Sequence, residues 1–176
     1  MANDTPKIYA ACLAAYNNGI LHGAWIDATD CVETMQEEVN AMLAASPVPD
    51  AEEWAIHDHE GLADLGEYAG LAEVAARAVI IEAAMGWDIP GVVLIEAMHE
   101  HGAEDAEGFL SDHYAGRADD WADFAEQYTR ETQDMAAIPD WVQNHIDWES
   151  VARDFKCGGD FNSIRAVGEV FFFYNR

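Results

Sequence analysis

Acidic residues run through this chain without ever gathering. Thirty-four Asp and Glu stand against eight Lys and Arg, a formal net charge of −26, yet no block of five or more like charges occurs. One-sided charge repels itself and weakens a compact state, so such a chain folds only if its apolar residues offset the repulsion. They are present: 51% of residues are hydrophobic, too many for a charge-driven disordered chain. Acids interleaved with core residues must sit on the outward faces of real helices and strands.

The charge is also localised. Residues 27–149 hold thirty acids and three bases (Arg77, Arg117 and Arg130), whereas the stretches on either side are close to neutral. The acidity therefore belongs to the central body. It argues against direct binding to nucleic acid and to anionic membranes, whose phosphates it repels. The longest apolar runs, such as Val170–Tyr174, are far too short to span a bilayer, and Met1–Lys7 lacks the pattern of a signal peptide. Cys12, Cys31 and Cys157 are odd in number and lack CxxC spacing, which fits a reducing cytoplasmic setting.

Local patterns predict an α+β fold. Lys7–Leu13 reads as a strand, Tyr16-Asn17-Asn18-Gly19 as a turn and Ile20–Ile26 as a returning strand. Asp30 is placed to cap a helix to about Ala45, with Val32, Met35, Val39, Met42 and Leu43 on one face and Glu33, Glu37 and Glu38 off it. Trp54–Ile56 is a third strand, closed by His57–Gly61. Helices follow at Leu62–Tyr68, at Leu71–Met85, and after Asp88 and Pro90 through Met98. An acidic helix is expected over Ala103–Tyr114, carrying Asp105, Glu107 and Asp112, and a second over Arg117–Thr132. In the second, Trp121, Phe124, Ala125 and Tyr128 fall at i, i+3, i+4 and i+7, while Asp119, Asp120, Asp123, Glu126 and Glu131 lie mostly off that stripe. The stripe suits a core or an interface between protomers, the core being simpler. A short helix begins near Pro139, and Asp147 caps another through Val151 and Phe155. Phe161–Ala166 and Glu169–Tyr174 form a terminal hairpin whose last strand is apolar on both faces, requiring cover within the fold or from a second chain. Three subdomains are expected: an α+β unit at 1–61, a helical one at 62–103 and a second α+β unit at 104–176.

Chemical motifs are scarce. There is no EF-hand loop, GxSxG, Walker loop or GxGxxG. Glu96-Ala97-Met98-His99 matches half of a di-metal pattern without its second copy. His57 and His59, at i and i+2 on a strand, would share a side and could share a metal, although a polar pair on an edge strand is the plainer reading. His99 and His101 lack the HExxH spacing. An enzymatic reading therefore rests on no specific motif, and the competing reading is an acidic metal-binding or hydrolytic protein. Carboxylates on a rigid frame, by contrast, accept bidentate Arg contacts as phosphates do. At the charge density of B-form DNA, thirty-four acids correspond to roughly 58 Å of duplex.

Two blocks are specific enough to suggest a family. Ile8–Ala11 with Tyr16-Asn17-Asn18-Gly19-Ile20-Leu21-His22-Gly23-Ala24-Trp25-Ile26-Asp27-Ala28 resembles the opening signature of the ArdA antirestriction proteins. Glu52-Glu53-Trp54-Ala55-Ile56-His57-Asp58-His59-Glu60-Gly61 resembles their second, and Ile138-Pro139, Ile146-Asp147, Val151–Phe155 and Gly159-Asp160-Phe161 resemble their C-terminal region. Asp120–Thr132 lies where that family carries its antirestriction motif, with Gln127 and Arg130 at positions more often acidic. The resemblance implies an elongated homodimer that imitates bent B-form DNA. It implies inhibition of type I restriction–modification enzymes through the DNA groove of their specificity and methyltransferase subunits, in the cytoplasm of a cell receiving a mobile element, without catalysis or cofactor. The partner-binding surface would then comprise Glu33, Glu37, Glu38, Asp105, Glu107, Asp112, Asp119, Asp120, Asp123, Glu126 and Glu131.

Overall fold

A computed structural model describes residues 5–63, 65 and 69–176. The chain is α+β, with two three-stranded antiparallel sheets, and it divides into two compact units, Met1–Ile95 and Glu96–Arg176.

The first unit is built on β1 (Lys7–Cys12), β2 (Gly23–Asp27) and β3 (Trp54–Glu60), in the order β2-β1-β3. Ile8 opposes Ile26, and Ala10 opposes Ala24 and Ile56, so one sheet face is apolar. Helix α2 (Val32–Ala44) buries Met35, Val39 and Met42, and helix α3 (Leu71–Gly86) contributes Leu71, Val74, Ala78 and Ile81 to the same core. Between β1 and β2 the expected turn is preceded by a short helix, α1 (Leu13–Asn17). It forms because the Cys12 thiol accepts from the Ala15 amide at 3.5 Å, a cap that no turn composition signals. Cys31, not Asp30, occupies the cap position of α2. Strand β3 runs four residues past Ile56 because it pairs along β1 down to Lys7–Glu60. The short helix expected over Leu62–Tyr68 falls in part on Asp64, Gly66, Glu67 and Tyr68, outside the described residues; Leu62 and Ala63 are not helical.

Helix α4 (Gly91–His101) follows. The second unit then comprises α5 (Ala106–His113), β4 (Tyr114–Ala118), α6 (Trp121–Thr132), a 3-10 turn at Met135–Ala137, α7 (Asp140–Gln143), α8 (Trp148–Gly158), β5 (Phe161–Ala166) and β6 (Glu169–Tyr174). Strand β4 stands where the sequence predicts the junction of two helices. Its partner explains it: β6 is the central strand of the order β4-β6-β5, and both its neighbours pair with it antiparallel. Val170, Phe171, Phe172 and Phe173 are all buried. Phe172 stacks on Phe124 of α6 at 3.8 Å between centroids, and Phe173 stacks on Phe109 of α5 at 5.7 Å. The doubly apolar strand is thus covered within the fold. Among the described residues no single helix is long and apolar enough to cross a membrane.

Candidate functional site

The candidate site is the acidic surface, and α6 carries one part of it. Trp121, Phe124 and Tyr128 form the inner face of that helix. Phe124 touches Phe172 and the edge of Phe161, and Tyr128 meets Phe155 of α8 and Phe161 of β5. The stripe is therefore core. That packing fixes the rotation of α6 and so turns its acids outward. Asp120 caps the helix, its Oδ1 accepting from the amides of Ala122 (2.8 Å) and Asp123 (3.0 Å). Asp119, Asp120, Asp123 and Glu131 are exposed and Glu126 is half-buried.

These acids sense one another. The Asp123 carboxyl is pushed above the usual carboxylate range, first by the charge of Asp120, then by partial desolvation, then by Asp119 and Glu126. Four carboxylates thus converge on the first turns of α6, where the helix N-terminus offers partial positive charge. Glu131 lies at the far end and is not among the groups acting on Asp123. Arg130 crosses to Glu126 at 2.8 Å and lies 5.7 Å from the ring of Trp148 on α8, so it braces α6 against α8. Asp147 caps α8 in turn: bonds from the hydroxyl (2.7 Å) and amide (3.2 Å) of Ser150 hold its carboxyl below the usual range, with help from Arg153.

The remaining predicted residues lie on two other helices. Asp105, at the N-cap of α5, and Glu107 and Asp112 on that helix are exposed in the same unit; Glu33, Glu37 and Glu38 are exposed on α2 in the other. Across the described chain only Asp30, Glu126 and Glu169 are even half-buried among Asp and Glu; all others are exposed. What the sequence reading passed over is the outer face of the first sheet. There Tyr9 opposes Trp25 and Asp58, while Lys7 opposes Asp27 and Glu60. The alternation of β1 with β2 was the available signal, but it becomes usable only once the register is known.

The metal reading finds no centre. Strand β3 bulges opposite Tyr9 and Ala10, which breaks the i, i+2 rule. His59 therefore opposes Ile8 on the core side, whereas His57 meets the ring of Tyr16 at 4.7 Å. Glu96 and His99 are both exposed on α4. Among the described residues no group of three or more His, Cys, Asp or Glu is placed to hold a metal ion.

The arrangement offers an exposed field of carboxylates on well-packed elements, suited to cationic partners. Compared with known families, the chain matches the family model described as Antirestriction protein (ArdA) over residues 8–167. No curated protein matches the chain.

Proposed function

The chain belongs to the ArdA antirestriction family, whose non-catalytic members act against type I restriction systems, and from that premise we propose that it inhibits by DNA mimicry. Its Asp and Glu side chains stand in for duplex phosphates and occupy the DNA groove formed by the specificity and methyltransferase subunits. The observation that carries this reading is the outward display of nearly every described carboxylate on elements whose inner faces are tightly packed. Arg side chains that bind phosphate donate to carboxylates in the same bidentate geometry, and Lys pairs with either anion as a point charge. The inhibitor acts in the cytoplasm as a homodimer and does not itself bind nucleic acid. The stretches 1–61, 62–103 and 104–176 serve as successive platforms for the acids.

Competition tests it. Purified protein is titrated against a type I methyltransferase core holding labelled duplex, at several salt concentrations. Displacement that weakens steeply as salt rises is expected, because cation–carboxylate contacts dominate. Displacement that ignores salt refutes phosphate mimicry, and no displacement refutes the target. Single substitutions at Glu33, Glu37, Glu38, Asp105, Glu107, Asp112, Asp119 or Glu131 should each cost about 1 kcal/mol or less, since exposed ion pairs contribute no more. Combined reversals should weaken binding progressively.

A further inference from the structure

The outer face of the β2-β1-β3 sheet carries something a DNA imitation does not need. Helix α2 covers the opposite face, on the side of Ile8, Ala10 and Ile26. On the outer side Tyr9 and Trp25 sit directly across from each other, ring centroids 5.4 Å apart, and Trp25 is 43% exposed. Asp27, Asp58 and Glu60, all exposed, surround the pair. Gly23 makes room for it: a Cβ there would lie 2.7 Å from the Tyr9 ring and 2.5 Å from the Ala10 carbonyl oxygen.

The face already holds one cation. Lys7 Nζ lies 5.0 Å from the Trp25 ring centroid and 2.8 Å from a Glu60 carboxylate oxygen. Asp27 and Asp58 are each steadied through Oδ1, the first by the amide and hydroxyl of Thr29, the second by the His59 amide. Carboxylates fixed beside a partly exposed aromatic pair match a guanidinium, which stacks on rings and forks to carboxylates; a lysine ammonium matches less well. Lys7 is the only base in residues 1–63, so the surrounding field favours a cationic partner over a second copy presenting the same face.

We propose that this sheet face is an arginine-recognition surface, on which Tyr9 and Trp25 stack a guanidinium from the basic DNA groove of the restriction enzyme while Asp27 and Asp58 take its N–H groups. The proposal rests on the inhibitory reading above and adds to it a contact that duplex DNA does not make. Stacking depends far less on salt than charge pairing does, and that difference separates the two.

The test uses the competition assay with three full-length variants. Trp25→Leu keeps an apolar strand residue and removes the ring; Trp25→Phe keeps a ring; a combined Asp119→Asn, Asp120→Asn and Asp123→Asn variant serves as charge control. Trp25→Leu should require about three- to tenfold more protein for half-displacement, with the salt slope unchanged, and Trp25→Phe should recover most of it. The charge control should weaken binding and flatten the slope. Equal potency of Trp25→Leu and wild type, with a weakened charge control, overturns the arginine surface and leaves the mimicry standing. A change in sedimentation of Trp25→Leu without a change in potency assigns the face to self-association and likewise overturns it. Failure of the wild type to compete overturns both. Circular dichroism and the thermal midpoint of Trp25→Leu must match wild type; if they do not, a combined Asp27→Asn and Asp58→Asn variant, which keeps both rings and removes the charges that take the guanidinium, decides: it should require more protein for half-displacement, and potency equal to wild type overturns the arginine surface.

Discussion

Replacing Phe124 by Ala separates the frame of α6 from its charge. Phe124 is 2% exposed, lies parallel to Phe172 within 5° at 3.8 Å, and meets Phe161 edge-on at 5.1 Å. Truncating a buried Phe costs about 3–5 kcal/mol through lost transfer energy and the cavity left behind. The unit Glu96–Arg176, taken as one cooperative body, has a total stability of about 4–12 kcal/mol at typical per-residue values. One substitution thus removes about a quarter of it or more, and its melting midpoint should fall by roughly 12–40 °C. Phe124→Leu keeps most of the apolar area and loses the aromatic geometry, so it should cost about 1–2 kcal/mol. Neither variant alters the charge of −26. The assay is differential scanning calorimetry paired with competition at temperatures on either side of the new midpoint. Phe124→Ala should displace duplex normally below its midpoint and lose potency above it. An unchanged midpoint refutes the packing argument, and full potency from the unfolded unit refutes the need for a frame.

Four further outcomes follow from local geometry and charge. Val167 has φ +48° and Gly168 φ +90°, the positive pair that a type I′ hairpin turn demands, and a β-branched residue is strained there; Val167→Asn should stabilise by about 0.5–1 kcal/mol, and a lower midpoint refutes the strain. Because its neighbours raise the Asp123 carboxyl in the folded chain, its ionised form destabilises: the protonated form's advantage is full below the ordinary Asp range and is lost as pH rises through the raised value, so Asp123→Asn should melt higher at pH 7 and equal wild type at low pH. Asp147 has the opposite sign, its contribution present at neutral pH and lost as pH falls through its depressed value. Arg130→Gln removes both the Glu126 bridge and the contact with Trp148; it should lower stability by about 1 kcal/mol while modestly strengthening displacement of duplex; an unchanged melting midpoint contradicts the bracing role, and weaker displacement by a folded variant contradicts the charge reading.

Much of this was legible in the chain itself, for identifiable reasons. The stripe Trp121/Phe124/Tyr128 announced α6 because a helix buries one face at that spacing, and Asp147 announced the start of α8 because its carboxylate satisfies the Ser150 amide there. Tyr114-Ala115-Gly116-Arg117-Ala118 has no alternation to announce β4, which exists because the apolar run of β6 needs a pairing partner on each edge. The same holds for the site. That the acids face outward could be read from their interleaving, but the mutual repulsion around Asp123 follows from the cap geometry of Asp120. The Tyr9–Trp25 pair depends on a register set by pairing across a loop.

The bases show how a chain this acidic keeps its shape without neutralising its surface. Lys7 joins Glu60 across two strands, and Arg77 joins Glu73 along α3. Arg117 reaches Glu169 on the neighbouring strand, and Arg130 braces α6 to α8. Arg165 donates to the carbonyl of Asp119, Lys156 lies over Trp121, and Arg176 lies over Tyr174. Each of these cations makes a contact within its own element or to an element or loop beside it. At such exposure an ion pair contributes little free energy, so they cannot cancel the repulsion. What opposes it is burial: Phe171, Phe172 and Phe173 in one unit and Ile8, Ile26 and Met35 in the other are fully enclosed. Core and charge are therefore separable by design of the fold, the first holding positions and the second supplying the field. A surface variant that gains bases should lose binding long before it loses structure.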